Sequence, residues 1–233
     1  MVNTLKHYAN SLTHFIYPHH CCGCGSDTLT DEQLLCVQCI THLPKTNFTN
    51  IYNNIIERKF YGRLNVQYAT AAFYFTKQSL VQHLMHQLKY KGNKEVGDLF
   101  GKLLGTQLLQ SAKYNDVDII IPLPLNEKRE HRRGYNQAAI IAHGIASVLN
   151  KPVNAKAVIR SINTETQTHH TRIERWQNMD GVFVVAKNDA IAAKHVLLVD
   201  DIVTTGATLE ACGKQILEAG AASLSIATVA YTA

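Results

Sequence analysis

Two adjacent carboxylates, Asp200 and Asp201, directly follow an aliphatic run from Val196 to Val199 that predicts a buried strand. A hydroxyl-rich loop around one glycine comes next, and a helical pattern begins at about Leu209. Ligands of open parallel sheets bind at the carboxyl ends of strands, where this loop is expected to lie. The following helix offers free N–H groups and the positive end of its dipole, which favour a phosphate. The segment therefore predicts a phosphate-binding loop.

The loop and the acid pair (Asp200 and Asp201) suit different parts of a ligand. The loop consists of Thr204, Thr205, Gly206, Ala207 and Thr208. Its hydroxyl groups can donate to a phosphate, and its glycine lets the backbone approach closely. The carboxylates accept hydrogen bonds from vicinal sugar hydroxyls or hold a magnesium ion. Because they would repel a bare phosphate, we expect a sugar or a cation between them. A plain strand, turn and helix with a threonine cap is the alternative.

This segment resembles the signature with which type I phosphoribosyltransferases bind phosphoribosyl pyrophosphate (PRPP). The resemblance implies that Asp200 and Asp201 bind the ribose hydroxyls and that the loop of residues 204–208 wraps the 5-phosphate. It also implies a magnesium ion that binds together with PRPP. The expected fold is α/β, a type I phosphoribosyltransferase-like parallel sheet flanked by helices.

A basic segment, Lys128 to Arg133, follows the predicted strand Val117 to Ile121. In the family that the acid-pair segment resembles, the loop after this strand holds the pyrophosphate of PRPP. The resemblance therefore implies pyrophosphate contacts for Arg129, Arg132 and Arg133. A solvated charged surface is the alternative explanation of such a charge run.

Five of the six cysteines lie between residues 21 and 39, with two C-x-x-C pairs formed by Cys21, Cys24, Cys36 and Cys39. Two such pairs can share one tetrahedral metal, and four thiolates leave no open position, which is typical of a structural zinc site. We expect metal rather than disulfides in a cytoplasmic chain. Cys22 is interpreted as a bystander. Buried reduced cysteines without a metal are the alternative.

The ordered set of motifs resembles the ComF family, competence-associated proteins of the phosphoribosyltransferase type. The segments that carry the resemblance are Pro18–Cys21, Leu88–Gly92, Ile121–Leu125, the basic segment with the following Gly134–Gln137, and the acid pair with its loop. The resemblance implies a link with single-stranded DNA and with competence proteins during natural transformation. It does not supply a phosphoribosyl acceptor.

Patterns along the chain predict two units. Residues 1–45 are expected to form an N-terminal helix and the zinc module, and residues 46–233 the phosphoribosyltransferase-like domain, with its core at about 79–233. Residues 45–54 are interpreted as a linker and residues 160–180 as a mobile loop. Each unit is expected to bury its own core. The predicted strands are 117–121, 152–159, 182–185, 195–199 and 223–230, and the predicted helices are 80–88, 96–109, 135–149 and 209–219.

The amino-acid composition indicates where the protein is located in the cell and which kind of ligand it can contact. Hydrophobic residues make up 46% of the 233, but no run approaches the roughly 20 apolar residues of a membrane span. No secretory h-region is present near the N-terminus, so we expect a cytoplasmic protein without membrane insertion. The net charge of +5 is mild and permits contact with anionic ligands.

Two functions remain open on these grounds. The first is a phosphoribosyltransferase, a glycosyltransferase that releases pyrophosphate, with catalytic roles for Asp200, Asp201 and Arg133; no general base is identified. The second is a non-catalytic PRPP-binding module that acts on single-stranded DNA. In that case the arginines of the basic segment and three lysines would follow a nucleic-acid backbone, namely Lys89, Lys91 and Lys94.

Overall fold

A computed structural model describes residues 20–27, 29, 33–160, 182–186 and 188–232. In this part of the chain there are six strands: β1 (Tyr68–Tyr74), β2 (Ile119–Pro122), β3 (Val158–Arg160), β4 (Phe183–Val185), β5 (His195–Val203) and β6 (Ser223–Tyr231). Four of them form one sheet in the order β1-β6-β5-β2, and every pairing in it is parallel. The other two, β3 and β4, pair antiparallel as a separate ribbon. The predicted parallel sheet is therefore confirmed.

Helices cover both faces of this sheet. They are α1 (Val37–Thr41), α2 (Ile55–Arg58), α3 (Leu80–Tyr90), α4 (Lys94–Leu109), α5 (Glu127–Arg133), α6 (Gln137–Leu149) and α7 (Ala207–Glu218). Alternate residues of β5 enter opposite cores, Leu197 on one face and Leu198 on the other. The first core contains the apolar residues of α3 and α4 and most of those of α6, and the second contains those of α2 and α7. This arrangement confirms the expected α/β class.

Helices α4 and α6 cross at very short distance because glycines line the crossing. A Cβ atom on Gly101 would lie 2.3 Å from the carbonyl oxygen of Ile141, and one on Gly144 would lie 2.6 Å from that of Asp98. Such contacts leave no room for any side chain. The glycines of α4, which superficially suggest a phosphate-binding P-loop, are therefore explained by helix packing.

The segment interpreted as a linker is instead attached to the sheet. The Thr46 amide donates to the carbonyl oxygen of Ala72 at 3.0 Å. Buried Asn54 caps α2, and its Nδ2 atom donates to the carbonyl oxygen of Ala69 at 2.9 Å. Both contacts are made to β1, a strand that the sequence patterns did not predict. Its alanine-rich centre contains only one of the β-branched residues that usually mark strands, Thr70.

The cysteine-bearing unit does not bury a core of its own. Cys21, Leu35 and Leu43 belong to the same buried cluster as Val81 and Leu84 of α3. The expectation of two separate cores is therefore wrong, because so few residues cannot bury enough apolar surface alone. The predicted N-terminal helix lies outside the described residues, as does the predicted mobile loop apart from Arg160.

Candidate ligand-binding cleft and cysteine centre

A cleft lies where the carboxyl ends of β2 and β5 meet. The two strands are neighbours, with Pro122 opposite Val199, so the segments that follow them are brought together. We refer to this feature as the cleft. Its polar lining consists of Lys89, Arg129, Arg133, Asn136, Gln137, Arg160, Asp200, Asp201 and Thr208. The acid pair and two of the three predicted arginines therefore face one space.

Within the cleft, the acid pair is in contact with a cation, Lys89. Asp201 Oδ2 lies 2.7 Å from Lys89 Nζ, and the Asp201 amide donates to Asp200 Oδ1 at 2.8 Å. Desolvation by burial, together with the neighbouring charge of Asp201, raises the pKa of Asp200 to about 8, against the opposing effects of that amide and of Lys89. Asp200 therefore holds a proton more tightly than an isolated aspartate does. The acids lie within β5, beyond the predicted end of the strand.

The opposite wall is cationic and incompletely paired. Arg133 Nη1 donates to Gln137 Oε1 at 2.7 Å, which leaves the Gln137 amide nitrogen as a free donor. Arg133 Nε and Gln137 Nε2 are both buried and have no hydrogen-bond partner among the described residues. Burial and the charge of Arg129 lower the pKa of Arg160. Because unpaired buried donors are costly, this wall is suited to an anion.

Helix geometry separates the three predicted arginines. Arg129 and Arg133 are four positions apart on α5 and therefore share one face of the helix, and both line the cleft. Arg132 is exposed and lies outside the cleft lining. Helix α5 ends at Gly134, whose positive φ of 76° turns the chain toward α6.

The predicted phosphate loop connects β5 to α7. Thr204 and Thr205 are exposed, the helix begins at Ala207, and Thr208 lines the cleft. Gly206 has a φ of 79°, which L side chains rarely adopt, and a Cβ atom there would lie 3.0 Å from the ring of Phe60. Phe60, next to α2, thus fixes the position of the loop from outside the signature.

Four polar residues of the cleft were not assigned to the PRPP site from the sequence. Lys89 was considered only as a nucleic-acid contact, Asn136 and Gln137 belonged to a motif without a role, and Arg160 was placed at the start of the predicted mobile loop. Gln137 is the first residue of α6, where a side chain is held close to the preceding loop. Arg133 and Gln137 belong to different helices, with the turn at Gly134 between them, so no helical spacing in the sequence predicted their contact.

The four predicted cysteine ligands converge on one point. The sulfur atoms of Cys21, Cys24, Cys36 and Cys39 all lie within 4.8 Å of one another. Burial raises the pKa of Cys21, but amide hydrogen bonds, among them one from Cys36 at 3.3 Å, lower it to about 6. Burial raises the pKa of Cys39. Such a tight group of sulfurs fits a tetrahedral metal ion, which neutralises several thiolates at once.

Cys22 and Cys212 lie outside this centre. Cys22 Sγ accepts a hydrogen bond from Asn93 Nδ2 at 3.6 Å, and Cys212, a residue of α7, is fully buried in the core. No helix in the described ranges has the length and apolar character needed to cross a membrane.

Comparisons with known proteins found a matching domain family, similar sequences and similar solved structures. Residues 136–233 match the phosphoribosyl transferase domain family. The DNA utilization protein YhgH of Escherichia coli (strain K12) is 29% identical over 210 residues, which cover 88% of this chain and 87% of that protein. Competence protein ComFC of Bacillus subtilis (strain 168) is 29% identical over 157 residues, covering 66% of this chain and 61% of that protein. Among solved structures, a purine phosphoribosyltransferase from Pyrococcus horikoshii Ot3 is 20% identical with a TM-score of 0.38, covering 58% of this chain and 73% of that one.

The sequence motifs, the matched domain and the named relatives point to the same family. The matched domain contains the acid pair and the whole loop that follows it. The relatives extend the similarity beyond this domain over most of the chain. Together, these findings confirm the resemblance indicated by the motifs and support a ComF-family, phosphoribosyltransferase-like protein.

Proposed function

We propose that the cleft binds PRPP, with the acid pair on the ribose hydroxyls, the loop of residues 204–208 on the 5-phosphate, and Arg129 and Arg133 on the pyrophosphate. One observation carries the proposal. Arg133 Nε and Gln137 Nε2 are buried without partners among the described residues, in the same cleft as the acid pair. A ligand that satisfies both walls needs anionic oxygens at one end and hydroxyl donors at the other. PRPP has both.

Magnesium fits this cleft as a companion of PRPP. The acid pair offers hard carboxylate oxygens, the ligands that Mg²⁺ prefers, and phosphate oxygens of PRPP would complete its coordination. When bound, the ion supplies electrostatic stabilisation for a leaving pyrophosphate. The acid pair also holds the ribose in position through its hydroxyls.

The reaction that fits this arrangement is phosphoribosyl transfer. The bond between the anomeric carbon and pyrophosphate breaks, the pyrophosphate leaves with the electron pair, and a nucleophile forms the new bond to carbon. Arg129 and Arg133 stabilise the negative charge that develops on the leaving group. The acid pair, on the neighbouring strand β5, stabilises the positive charge that develops on the ribose ring, as carboxylates do in glycoside chemistry.

A second candidate function is a PRPP-binding module without turnover that acts on single-stranded DNA. The names of the relatives, a DNA utilization protein and a competence protein, favour it. Tyr90 and Lys91, next to the cleft at the end of α3, are exposed and offer an aromatic ring and a cation to a nucleic-acid strand. Lys89 does not belong to this exposed set, because it is paired with Asp201.

Calorimetric titration with PRPP, with and without Mg²⁺, tests the shared part of both candidates. We expect binding that requires Mg²⁺ and that is stronger than binding of ribose 5-phosphate, which lacks the pyrophosphate. A screen of nitrogen bases for pyrophosphate release then separates them, because only the enzyme releases pyrophosphate. Salt-sensitive binding of single-stranded DNA without release would favour the second candidate. Absence of PRPP binding would overturn both.

We also propose that the cysteine centre holds a structural zinc ion. Support comes from the four converging sulfurs and from the amides that donate to them, including Gly23 to Cys21 at 3.4 Å and Cys39 to Cys36 at 3.4 Å. Four sulfur ligands leave no open position for a substrate, so the ion has no part in the transfer reaction. Metal analysis of the purified protein should give one zinc per chain.

A further inference from the structure

Lys89 holds a position that surface lysines do not usually have. Its ammonium lies 2.7 Å from Asp201 Oδ2, and the two side chains are only 19% and 14% exposed. Lys89 lies outside the matched domain of residues 136–233 and comes from a different layer of the fold. It is nevertheless the cation in direct contact with the acid pair among the described residues.

Helix α3 is anchored by the two residues just before Lys89, so the ammonium is held at the acid pair. The carbonyl oxygen of Cys22 accepts a hydrogen bond from Gln87 Nε2 at 2.8 Å. The carbonyl oxygen of Leu88 accepts one from the hydroxyl of Tyr135, which precedes α6. Leu88 itself is fully buried. These contacts fix the last turn of α3 against the cysteine unit and against the segment before α6.

The charges around Lys89 explain why a cation is needed there. Asp200 and Asp201 are adjacent, and in a poorly hydrated cleft two carboxylates repel each other strongly. Arg133 lines the same cleft, but its Nη1 atom is engaged by Gln137. Lys89 thus compensates the acid pair when no ligand is present. A divalent cation that enters the cleft seeks the same carboxylate oxygens.

We propose that Lys89 is a counter-ion built into the fold, which neutralises the acid pair in the ligand-free protein and competes with a divalent cation for Asp201. The inference rests on the proposed function for the identity of the ligand that follows the ion. Ligand binding then exchanges one cation for another at Asp201 and releases the Lys89 ammonium. Lys89 acts as a positioning residue, because it sets the state of the acid pair before the ligand arrives.

Manganese alone is a suitable probe, because free Mn²⁺ is counted directly by electron paramagnetic resonance. We expect Lys89→Met to bind Mn²⁺ at least about tenfold more tightly than the wild type, since the competing cation is gone. Lys89→Arg keeps the charge and should bind Mn²⁺ as the wild type does. Lys91→Met, two residues away and exposed, is the matched control and should also leave the affinity unchanged.

A measurement on the wild-type protein guards against misfolding of the variant. If Mn²⁺ displaces the ammonium, then Mn²⁺ should increase the rate at which a small acylating reagent modifies Lys89, relative to Lys91, as followed by mass spectrometry. Unchanged or weaker Mn²⁺ binding by folded Lys89→Met, or unchanged acylation of Lys89, would overturn the inference.

Titration of the same proteins with PRPP keeps the two proposals apart. Failure of the wild type to bind PRPP in the presence of Mg²⁺ would refute the proposed function, while the Mn²⁺ comparison would still decide the role of Lys89. Loss of PRPP binding in Lys89→Met with unchanged Mn²⁺ affinity would show that Lys89 contacts the ligand, and the counter-ion inference would then be wrong.

Discussion

Single residues of the proposed ligand site bring several charges into one cleft. The lining brings Lys89, Arg129, Arg133 and Arg160 together with two carboxylates, and one of these carboxylates has a raised pKa. Because the cations repel one another and the two carboxylates repel each other, this lining costs free energy in the ligand-free protein. A polyanionic ligand with a divalent cation removes most of that cost. Sites that carry such a cost are commonly functional.

Asp200→Asn should stabilise the ligand-free protein above neutral pH. Its pKa is raised to about 8 in the folded state, above the unfolded value near 3.9, so the folded state holds the proton more tightly. The contribution of Asp200 to stability is thus present at low pH and is lost as the pH rises toward 8. At pH 8.5 we expect the variant to gain at least about 1 kcal/mol in free energy of unfolding, on the order of one pKa unit.

Urea denaturation at pH 5 and at pH 8.5 measures this effect, and the gain should shrink at the lower pH. The exposed Asp189 provides a matched control, since Asp189→Asn should change stability at neither pH. PRPP binding should be lost in the doubly substituted protein, with asparagine at positions 200 and 201. A gain that is equal at both pH values would mean that the effect is unrelated to titration of Asp200.

Arg133→Ala should weaken PRPP binding but spare ribose 5-phosphate. A hydrogen bond to a charged group contributes about 1.5–3 kcal/mol, which corresponds to about tenfold to hundredfold in affinity. Arg132→Ala is the control, because Arg132 lies on the same helix but outside the cleft lining. Calorimetry with both ligands decides the matter. An equal loss of affinity for the two ligands would place Arg133 elsewhere than at the pyrophosphate.

At the scale of elements, the sequence predicted the parts of the fold that have strong local patterns. The aliphatic runs that became β2 and β5 and the helical periodicity of α3 and α4 were confirmed, with ends displaced by a few residues. The acid pair was expected directly after a strand and lies near the end of β5. These features depend on neighbours in sequence, which a single chain displays directly.

The remaining elements depend on contacts with residues distant in sequence, so no local pattern predicts them. Strand β1 is recognisable only by its pairing with β6, in which Ala71 lies opposite Thr228. Helix α5 has no fully buried residue and lacks an apolar face, so its charges concealed its periodicity. The contact of Lys89 with Asp201 joins residues more than a hundred positions apart. The cleft was therefore predicted by its motifs but not by its complete lining.

Gly206→Ala should weaken the element that carries the phosphate loop more than a matched change at the other end of the same helix. Gly206 and Gly220 flank α7, and both have positive φ, 79° and 91°. An alanine at either site costs about 1–2 kcal/mol for this backbone region. Only at Gly206 would the added Cβ also collide with Phe60, at 3.0 Å, whereas nothing lies within 4 Å at Gly220.

Chemical denaturation of both variants measures the difference, and ribose 5-phosphate binding reports on the loop. We expect a larger loss of stability for Gly206→Ala and a weaker affinity for ribose 5-phosphate in that variant alone. Equal losses of stability with unchanged affinity in both variants would show that the Phe60 contact does not position the loop.

At the scale of the whole molecule, the cysteine unit and the phosphoribosyltransferase-like domain share one buried core. The buried cluster extends from Cys21 and Leu35 through α3 and α4 to Leu197 of the sheet. The same helix α3 contacts the Cys22 carbonyl group at one end of this cluster and carries Lys89 at the cleft. Loss of order in the cysteine unit should therefore reach the sheet, contrary to the independence predicted from the sequence.

Replacing Cys36 and Cys39 with serine should remove the metal and lower the stability of the entire chain in one transition. Structural zinc contributes about 10–16 kcal/mol in small modules, which is comparable to the whole stability of a typical domain. Cys22→Ser is the control, because Cys22 lies in the same unit but outside the centre, and it should retain one zinc per chain.

Metal analysis and circular dichroism melts, followed at wavelengths for helix and for aromatic packing, measure both effects. Two separate unfolding transitions in the wild type, with the later one unaffected by the double substitution, would support the sequence-based hypothesis that each unit has its own core. A single transition that moves to lower temperature as zinc is lost would establish that the four sulfurs stabilise the sheet as well as their own unit.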